Sequence, residues 1–437
     1  MDEATPVPPA GAQQARLRTD VIVTFGGKAA TLLLALATAA IVARELGPSG
    51  QAVFAVAFTL TLVLVQVGGL GFTTANPYFV AREPALLPRV VGNAVWFSAL
   101  LGLVLIAAGV VLKLVAPSAI EGLGWEPLLV TLAGIPGALA VVSLQSILLG
   151  QGRMVGYSAI EAGQNAVTLI AVLVAFEVFG SGLTGALAAI GVVRYGAAVA
   201  ALVLLRRSLE LQALDFELWR RMLGYGARIY VAILVSFLVI RVDLFLVNTI
   251  VGREEAGVYS IAAALADGMF VLPMVIGLNL LPRVARGDPT QASAEVFRSI
   301  AVLYGLFCLV TVPLAGPAIS IIFGESYEGA TSLYYWLLPG IFALGMLTIL
   351  SHHFAGRGYP PQAVAFWVFA LVLNVVLNLI FLPGRGAEVA AILSSVTYII
   401  LLAMHMGLFA REAGGYGSMR PRLREVVRFV RVALSRG

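Results

Sequence analysis

The sequence predicts an all-α polytopic membrane protein, with twelve transmembrane helices in two six-helix halves that form a parallel pseudo-repeat around a central cavity. Three observations carry that prediction. Of 437 residues, 60% are apolar and 12% charged, and the mean hydropathy is +0.96. Soluble domains run at roughly 45–50% apolar and about 25% charged, so this chain has more apolar surface than it can hide from water. Its apolar residues also gather into windows long enough for a spanning helix, about 20 residues each. Finally, the chain repeats itself at about half its length, as duplicated architectures do.

Taken in order, residues 1–20 mix prolines, glycines and polar side chains and read as a disordered tail. The first apolar window, 21–43, is too long and ends wrongly for a cleaved signal peptide. Eleven more follow at 52–75, 90–115, 128–149, 164–180, 183–205, 226–250, 256–281, 299–323, 333–355, 362–383 and 387–410. All have helical rather than barrel-strand length. They divide into an N-terminal half (21–205), a linker (206–225), a C-terminal half (226–410) and a basic tail (411–437). Around the linker, Leu218, Trp219 and Met222 among charges suggest a short interfacial helix. In the tail, Leu423, Val426, Val427, Val430 and Leu434 share one face while Arg424, Arg428 and Arg431 lie on another. Such a basic amphipathic helix suits anionic inner-leaflet lipids; docking to a cytoplasmic protein is the alternative.

Lysine and arginine set the orientation, because cytoplasmic loops retain positive charge. With the N-terminus inside, cytoplasmic segments hold 21 of the 28 basic residues and the opposite side four: Arg44, Lys113, Arg253 and Arg385. Both termini are therefore expected in the cytoplasm. The net charge of +5 is read as a topology signal, and a nucleic-acid partner is not expected.

The repeat is visible in short matches. Leu46-Gly47, Val53-Phe54 and 57–60 align with Val251-Gly252, Val258-Tyr259 and 262–265 at an offset of 205. Gly150-Gln151-Gly152 matches Gly356-Arg357-Gly358 at 206, and Gly185-Ala186 resembles Gly386-Ala387 near 201. Six spans return the chain to its starting side, so the halves are parallel, and such repeats place a substrate site between them near the midplane. This is a transporter layout, the alternative being a duplicated scaffold.

Catalysis finds no support. One cysteine (Cys308) and three histidines exclude a disulfide framework and make a metal centre improbable. No P-loop or dinucleotide fingerprint occurs, and the external connections are too short for catalytic loops. The chain is expected to be no enzyme and to need no cofactor, with H+ or Na+ coupling left open. Function is then sought in ionisable groups inside the membrane, where they are costly. These are Lys28, Arg194 and Arg241, with Asp243 and Asp267. Arg241 and Asp243 stand about 200° apart on one helix and cannot face each other; Arg241 with Asp267 across the seven–eight hairpin is the simplest pair. Among neutral groups Asn374 and Asn378, four apart on one face, are the best candidates for sugar contacts.

Phe25-Gly26-Gly27-Lys28, then Ala43-Arg44-Glu45-Leu46-Gly47-Pro48 and Val53-Phe54-Ala55, resemble the polysaccharide flippase (Wzx-like) branch of the multidrug/oligosaccharidyl-lipid/polysaccharide (MOP) exporter superfamily. Arg241-Val242-Asp243, Val251-Gly252 and 256–259 fit the span-seven to span-eight passage of that branch. The resemblance implies a flippase that moves undecaprenyl-diphosphate-linked oligosaccharide from inner to outer leaflet by alternating access. It also implies the bacterial cytoplasmic (inner) membrane and work beside a polysaccharide polymerase and glycosyltransferases. Twelve spans, rather than fourteen, argue against a lipid II flippase. With this substrate, Lys28, Arg194 and Arg241 are expected to meet the diphosphate or an acidic sugar, since guanidinium and ammonium groups bind phosphate. Asp243 and Asp267 would tune charge or bind a coupling cation. The alternatives are a cation-coupled multidrug or metabolite exporter of the same superfamily, and a membrane-embedded glycan polymerase or ligase.

Overall fold

A computed structural model describes residues 10–208, 214–285, 287 and 289–420. The expected amphipathic tail helix lies outside them. The described residues form helices and no strand: α1 (Ala10–Gly68), α2 (Phe72–Arg82), α3 (Leu87–Val115), α4 (Trp125–Ala133), α5 (Ile135–Gly150), α6 (Met154–Glu177), α7 (Gly182–Leu205), α8 (Phe216–Ile250), α9 (Arg253–Met269), α10 (Val271–Ala285), α11 (Thr290–Phe323), α12 (Ala330–Gly356), α13 (Pro361–Phe381) and α14 (Ala387–Ala413).

Eleven of the described helical segments are long and apolar enough to cross a membrane. One of them, Gly26–Gly68 of α1, has 43 residues. At 1.5 Å per residue that is about 65 Å, twice a hydrocarbon core of ~30 Å. It supplies the first two crossings, so the expected twelve are present. The fold at mid-length lies at Gly47, whose φ of 63° and ψ of 176° leave the helical region ahead of Pro48. A positive φ costs glycine nothing, and proline then starts the second segment without a missing donor. The repeat partner Gly252 breaks the chain between α8 and α9 with φ 132°. Gly152 (φ 69°) and Gly358 (φ 92°) likewise share a left-handed turn. The sequence matches at offsets 205 and 206 therefore mark equivalent turns.

Two expectations at the edges change. Helix α1 starts at Ala10, within the stretch expected as a disordered tail. The interfacial helix expected around 206–228 is instead the opening of α8, which runs without a break from Phe216 to Ile250. Asp215 caps it, accepting a bond from the Leu218 amide at 3.0 Å. Leu218 and Met222 are buried in an apolar cluster of the N-terminal half with Phe72, Phe97 and Leu144, and the Trp219 ring lies 6.1 Å from Phe72. Further along, Val239 packs with α12–α14. One helix thus begins in one half and ends in the other.

The halves are latched on the face opposite the linker. Tyr327 donates to Ala43 O at 2.8 Å, Asn248 to Glu121 O at 3.0 Å and Thr249 to Ser118 O at 2.7 Å. The Arg44 guanidinium reaches Ile321 O and Ile322 O, carbonyls at the end of α11. The Ile321 and Ile322 carbonyls lie in the last turn of α11, where no intrahelical donor follows, and water can satisfy them when the contact opens. Gly257 permits the closest approach: a Cβ there would sit 1.9 Å from Pro48 O. On the linker face the described hydrogen bonds between halves come from early α8, through Asp215, Arg221 and Tyr230.

Candidate functional site

Between the halves lies a cavity of about 270 Å³, walled by both segments of α1 and by α6, α8 and α9. Its lining is mainly apolar, with Leu36, Phe54, Phe58 and Leu244 prominent. Polar groups are few: Thr38, Gln51, Thr59, Asn165, Thr168, Tyr259 and Ser260, with one charged pair. That pair is Arg241 and Asp267, joined at 2.8 Å from α8 to α9, as the sequence had suggested. The guanidinium also lies 5.6 Å over the Phe237 ring, and its Nε has no partner. Sparse polar groups in an apolar concavity are the usual make-up of a ligand site. A volume near the lower end of such sites holds a head group and leaves a longer chain outside.

The other candidates do not line this cavity. Lys28, on α1, is paired at 2.5 Å with Glu161 of α6 and lies 5.6 Å over the Tyr157 ring. Glu161 fell outside the expected fifth window because α6 begins ten residues earlier, at Met154. Added to the five interior charges named from the sequence, Glu161 makes three of each sign. Arg194 lies in α7, sharing a face with buried Ile190, Ala197 and Ala201. Its guanidinium stacks 5.8 Å over Phe58, a ring of the cavity wall. Arg194 makes none of the ion pairs found among the described residues.

Asp243 is 1% exposed and sits among α8, α9, α13 and α14 rather than in the cavity. Ser394 donates to its Oδ2, Tyr259 to the same oxygen at 3.4 Å, and Asn378 Nδ2 to Oδ1 at 3.3 Å. Asn374 and Tyr398 also face this carboxylate. Asn378 Nδ2 bonds Asn374 Oδ1 at 3.2 Å, while Asn378 Oδ1 and Asn374 Nδ2 are buried without partners. Asn374 and Asn378 thus surround Asp243 and are not cavity contacts. Position along a helix does not say which way the helix is turned. No described cation pairs with Asp243. A lone buried carboxylate is costly, so this nest of oxygens and amides invites a compensating positive charge. Among the described residues no group of three or more His, Cys, Asp or Glu side chains forms a metal site. The sequence missed Tyr259 and Ser394, which carry no charge to advertise them.

The fold is that of a multi-pass membrane protein whose two six-helix halves enclose a central cavity. Residues 17–287 match the family described as "Polysaccharide biosynthesis protein", and the chain belongs to that family. A putative O-antigen transporter of Shigella flexneri is 23% identical over 410 residues, covering 89% of this chain and 97% of that one. An uncharacterized membrane protein of Methanocaldococcus jannaschii is 26% identical over 175 residues, covering 39% of this chain and 40% of that one. Among solved structures, the lipid II flippase MurJ in an inward closed conformation superposes with a TM-score of 0.73 at 13% identity, covering 95% of this chain and 91% of that one. An inward-facing multidrug MATE transporter of the MOP superfamily gives 0.68 at 16% identity, covering 87% and 93%. The resemblance read from the span junctions is thereby borne out.

Proposed function

We propose that the protein flips a diphosphate-linked glycolipid, an undecaprenyl-diphosphate-linked oligosaccharide, from the inner to the outer leaflet of a bacterial cytoplasmic membrane. The observation that carries this reading is the Arg241–Asp267 pair, held in an apolar cavity between two halves of a chain from a polysaccharide-synthesis family. A phosphate oxygen competes with Asp267 for the guanidinium, which has a spare Nε donor. The pair keeps the cavity neutral when empty and offers a fork when a diphosphate arrives. The oligosaccharide and the lipid tail lie outside a cavity of this size.

The excess of arginine on the linker side supports a cytoplasmic linker and termini. The latch at Arg44 and Tyr327 is then the outer gate, closed, and rocking of the halves alternates access. Arg194 waits behind Phe58 and meets the substrate when that ring turns, while Lys28, released from Glu161, meets it near the cytoplasmic entry. Asp243 takes the coupling cation. One carboxylate among Asn374, Asn378 and Ser394 oxygens suits a singly charged hard ion such as sodium, and the unpartnered Asn378 Oδ1 is free to turn toward it. The basic tail rests on anionic inner-leaflet lipid, and a polymerase and glycosyltransferases supply and consume the glycolipid. In proteoliposomes, the purified chain should move a labelled undecaprenyl-diphosphate-linked glycan between leaflets, and R241Q should not. Transport of organic cations in place of the glycolipid would favour the exporter reading instead.

A further inference from the structure

Tyr259 stands in the wall between the two polar sites. Its side chain lines the central cavity and a second void of about 30 Å³ beside the Arg241–Asp267 pair, where Tyr398 is a neighbour. A void of that size holds a water or two. Tyr259 is 3% exposed, and its hydroxyl donates to Asp243 Oδ2 at 3.4 Å, long for an O–H···O bond. One rigid side chain therefore touches both the cavity that would take the phosphate and the carboxylate that would take the cation. Other routes are poorer. Arg241 and Asp243 share α8 but face opposite ways, and Asn374, Asn378 and Ser394 contribute nothing to the cavity lining.

We propose that Tyr259 is the positioning residue that couples occupancy of the central cavity to cation occupancy at Asp243; this rests on the cation reading of Asp243 given above. With no cation bound, the hydroxyl gives its proton to a hydrogen bond with Oδ2. A cation draws Oδ2 into its own coordination shell and leaves that hydroxyl without its acceptor. The ring then settles differently against the wall beside Arg241 and Asp267. By linkage the effect runs both ways, since whatever ring position a bound phosphate favours must alter cation affinity by the same factor. Tyr398 is the contrasting neighbour. It too faces Asp243, but its hydroxyl donates to a backbone carbonyl, Val239 O, at 3.2 Å, and of the two voids it lines only the smaller.

The test measures binding of undecaprenyl diphosphate carrying one N-acetylhexosamine to the full chain in nanodiscs, in sodium chloride and in choline chloride at equal ionic strength. The wild-type affinity should differ between the two salts by a factor in the range of about 5–150 typical of coupled sites. In Y259F the affinity in choline should stay within about threefold, the effect of one weak hydrogen bond, while the sodium-dependent factor falls to near one. Y398F should keep the factor. A Y259F protein with the wild-type factor, while D243N loses it, overturns the role of Tyr259 and leaves the cation site standing. Loss of the factor in both tyrosine variants also overturns it, because general loosening of the wall would then suffice. No sodium effect in the wild type overturns the cation reading of Asp243 and this proposal with it, but not the binding of the lipid diphosphate.

Discussion

The two halves share a topology and differ in their charge. In the N-terminal half, Lys28 is neutralised by Glu161 and Arg194 is left over, stacked on an aromatic ring. In the C-terminal half, Arg241 is neutralised by Asp267 and Asp243 is left over, set in a nest of amides and hydroxyls. One half thus carries a spare cation and the other a spare carboxylate. The spare cation lies behind the cavity wall next to where a phosphate would sit, while the spare carboxylate is screened from it by Tyr259. Under the proposed function the difference keeps two jobs apart, because an anionic substrate and a coupling cation placed together would neutralise each other.

The largest effect should come from breaking the pair at the joint. R241E sets two carboxylates face to face in the cavity, and glycolipid transport should fall on the order of a hundredfold or more, from the lost charge-assisted bond and the added repulsion. Membrane content of the variant, read by immunoblot, separates this from loss of protein. Next is D243N, which removes the spare carboxylate. Sodium dependence of lipid binding should vanish, a loss of roughly tenfold in the coupling factor, while binding in choline persists. Equal loss of binding in both salts would mean that Asp243 serves the cavity directly.

G257A probes the latch that the halves share. Its methyl would lie 1.9 Å from Pro48 O, and overpacking of this kind costs about 1–3 kcal/mol. Disulfide trapping between cysteines placed at Ser118 and Thr249 should drop in yield by roughly five- to a hundredfold as the latch opens. R194Q, on the other side of the comparison, should lower transport only about three- to tenfold and leave the sodium factor untouched. A change in that factor would erase the distinction between the halves. The smallest effect belongs to Asp215. The Leu218 amide and then Arg89 hold its carboxyl below the ordinary value of 3.8. A depressed pKa adds stability above about pH 4 that is lost as pH falls through the folded value. D215A should therefore cost about 1 kcal/mol, a cap's worth, in thermal melts at pH 7, and the gap should narrow below pH 4.

What could be read from the sequence follows from what physics leaves in one dimension. Apolar windows of fixed length gave the twelve crossings, since a bilayer allows few alternatives. Glycine pairs at offsets of 205 and 206 gave the repeat, because the same left-handed turns recur at Gly47 and Gly252 and at Gly152 and Gly358. The Arg241–Asp267 pair was legible because hairpin partners at equal depth must meet. Rotation about each helix axis was not legible, and this is where Arg194, Asn374 and Asn378 were misplaced relative to the cavity. Glu161 was lost for another reason: polar residues near a span end dilute the hydropathy window that should have contained them. The opening of α8 was taken for a surface helix because its apolar residues lie among charges, and only the neighbouring Phe72 and Phe97 show them to be buried.

The proposed function requires that Arg241 meet a diphosphate in a cavity reached from both leaflets. The most direct measurement is leaflet exchange of a fluorescent undecaprenyl-diphosphate-linked glycan in proteoliposomes, for the wild type, R241Q and the charge-swapped R241D/D267R. The wild type should exchange the glycan, R241Q should not, and the swap should recover no more than part of the rate, because it restores the pair but moves the cation to α9. Full exchange by R241Q, with the protein folded and inserted, would contradict the proposed function.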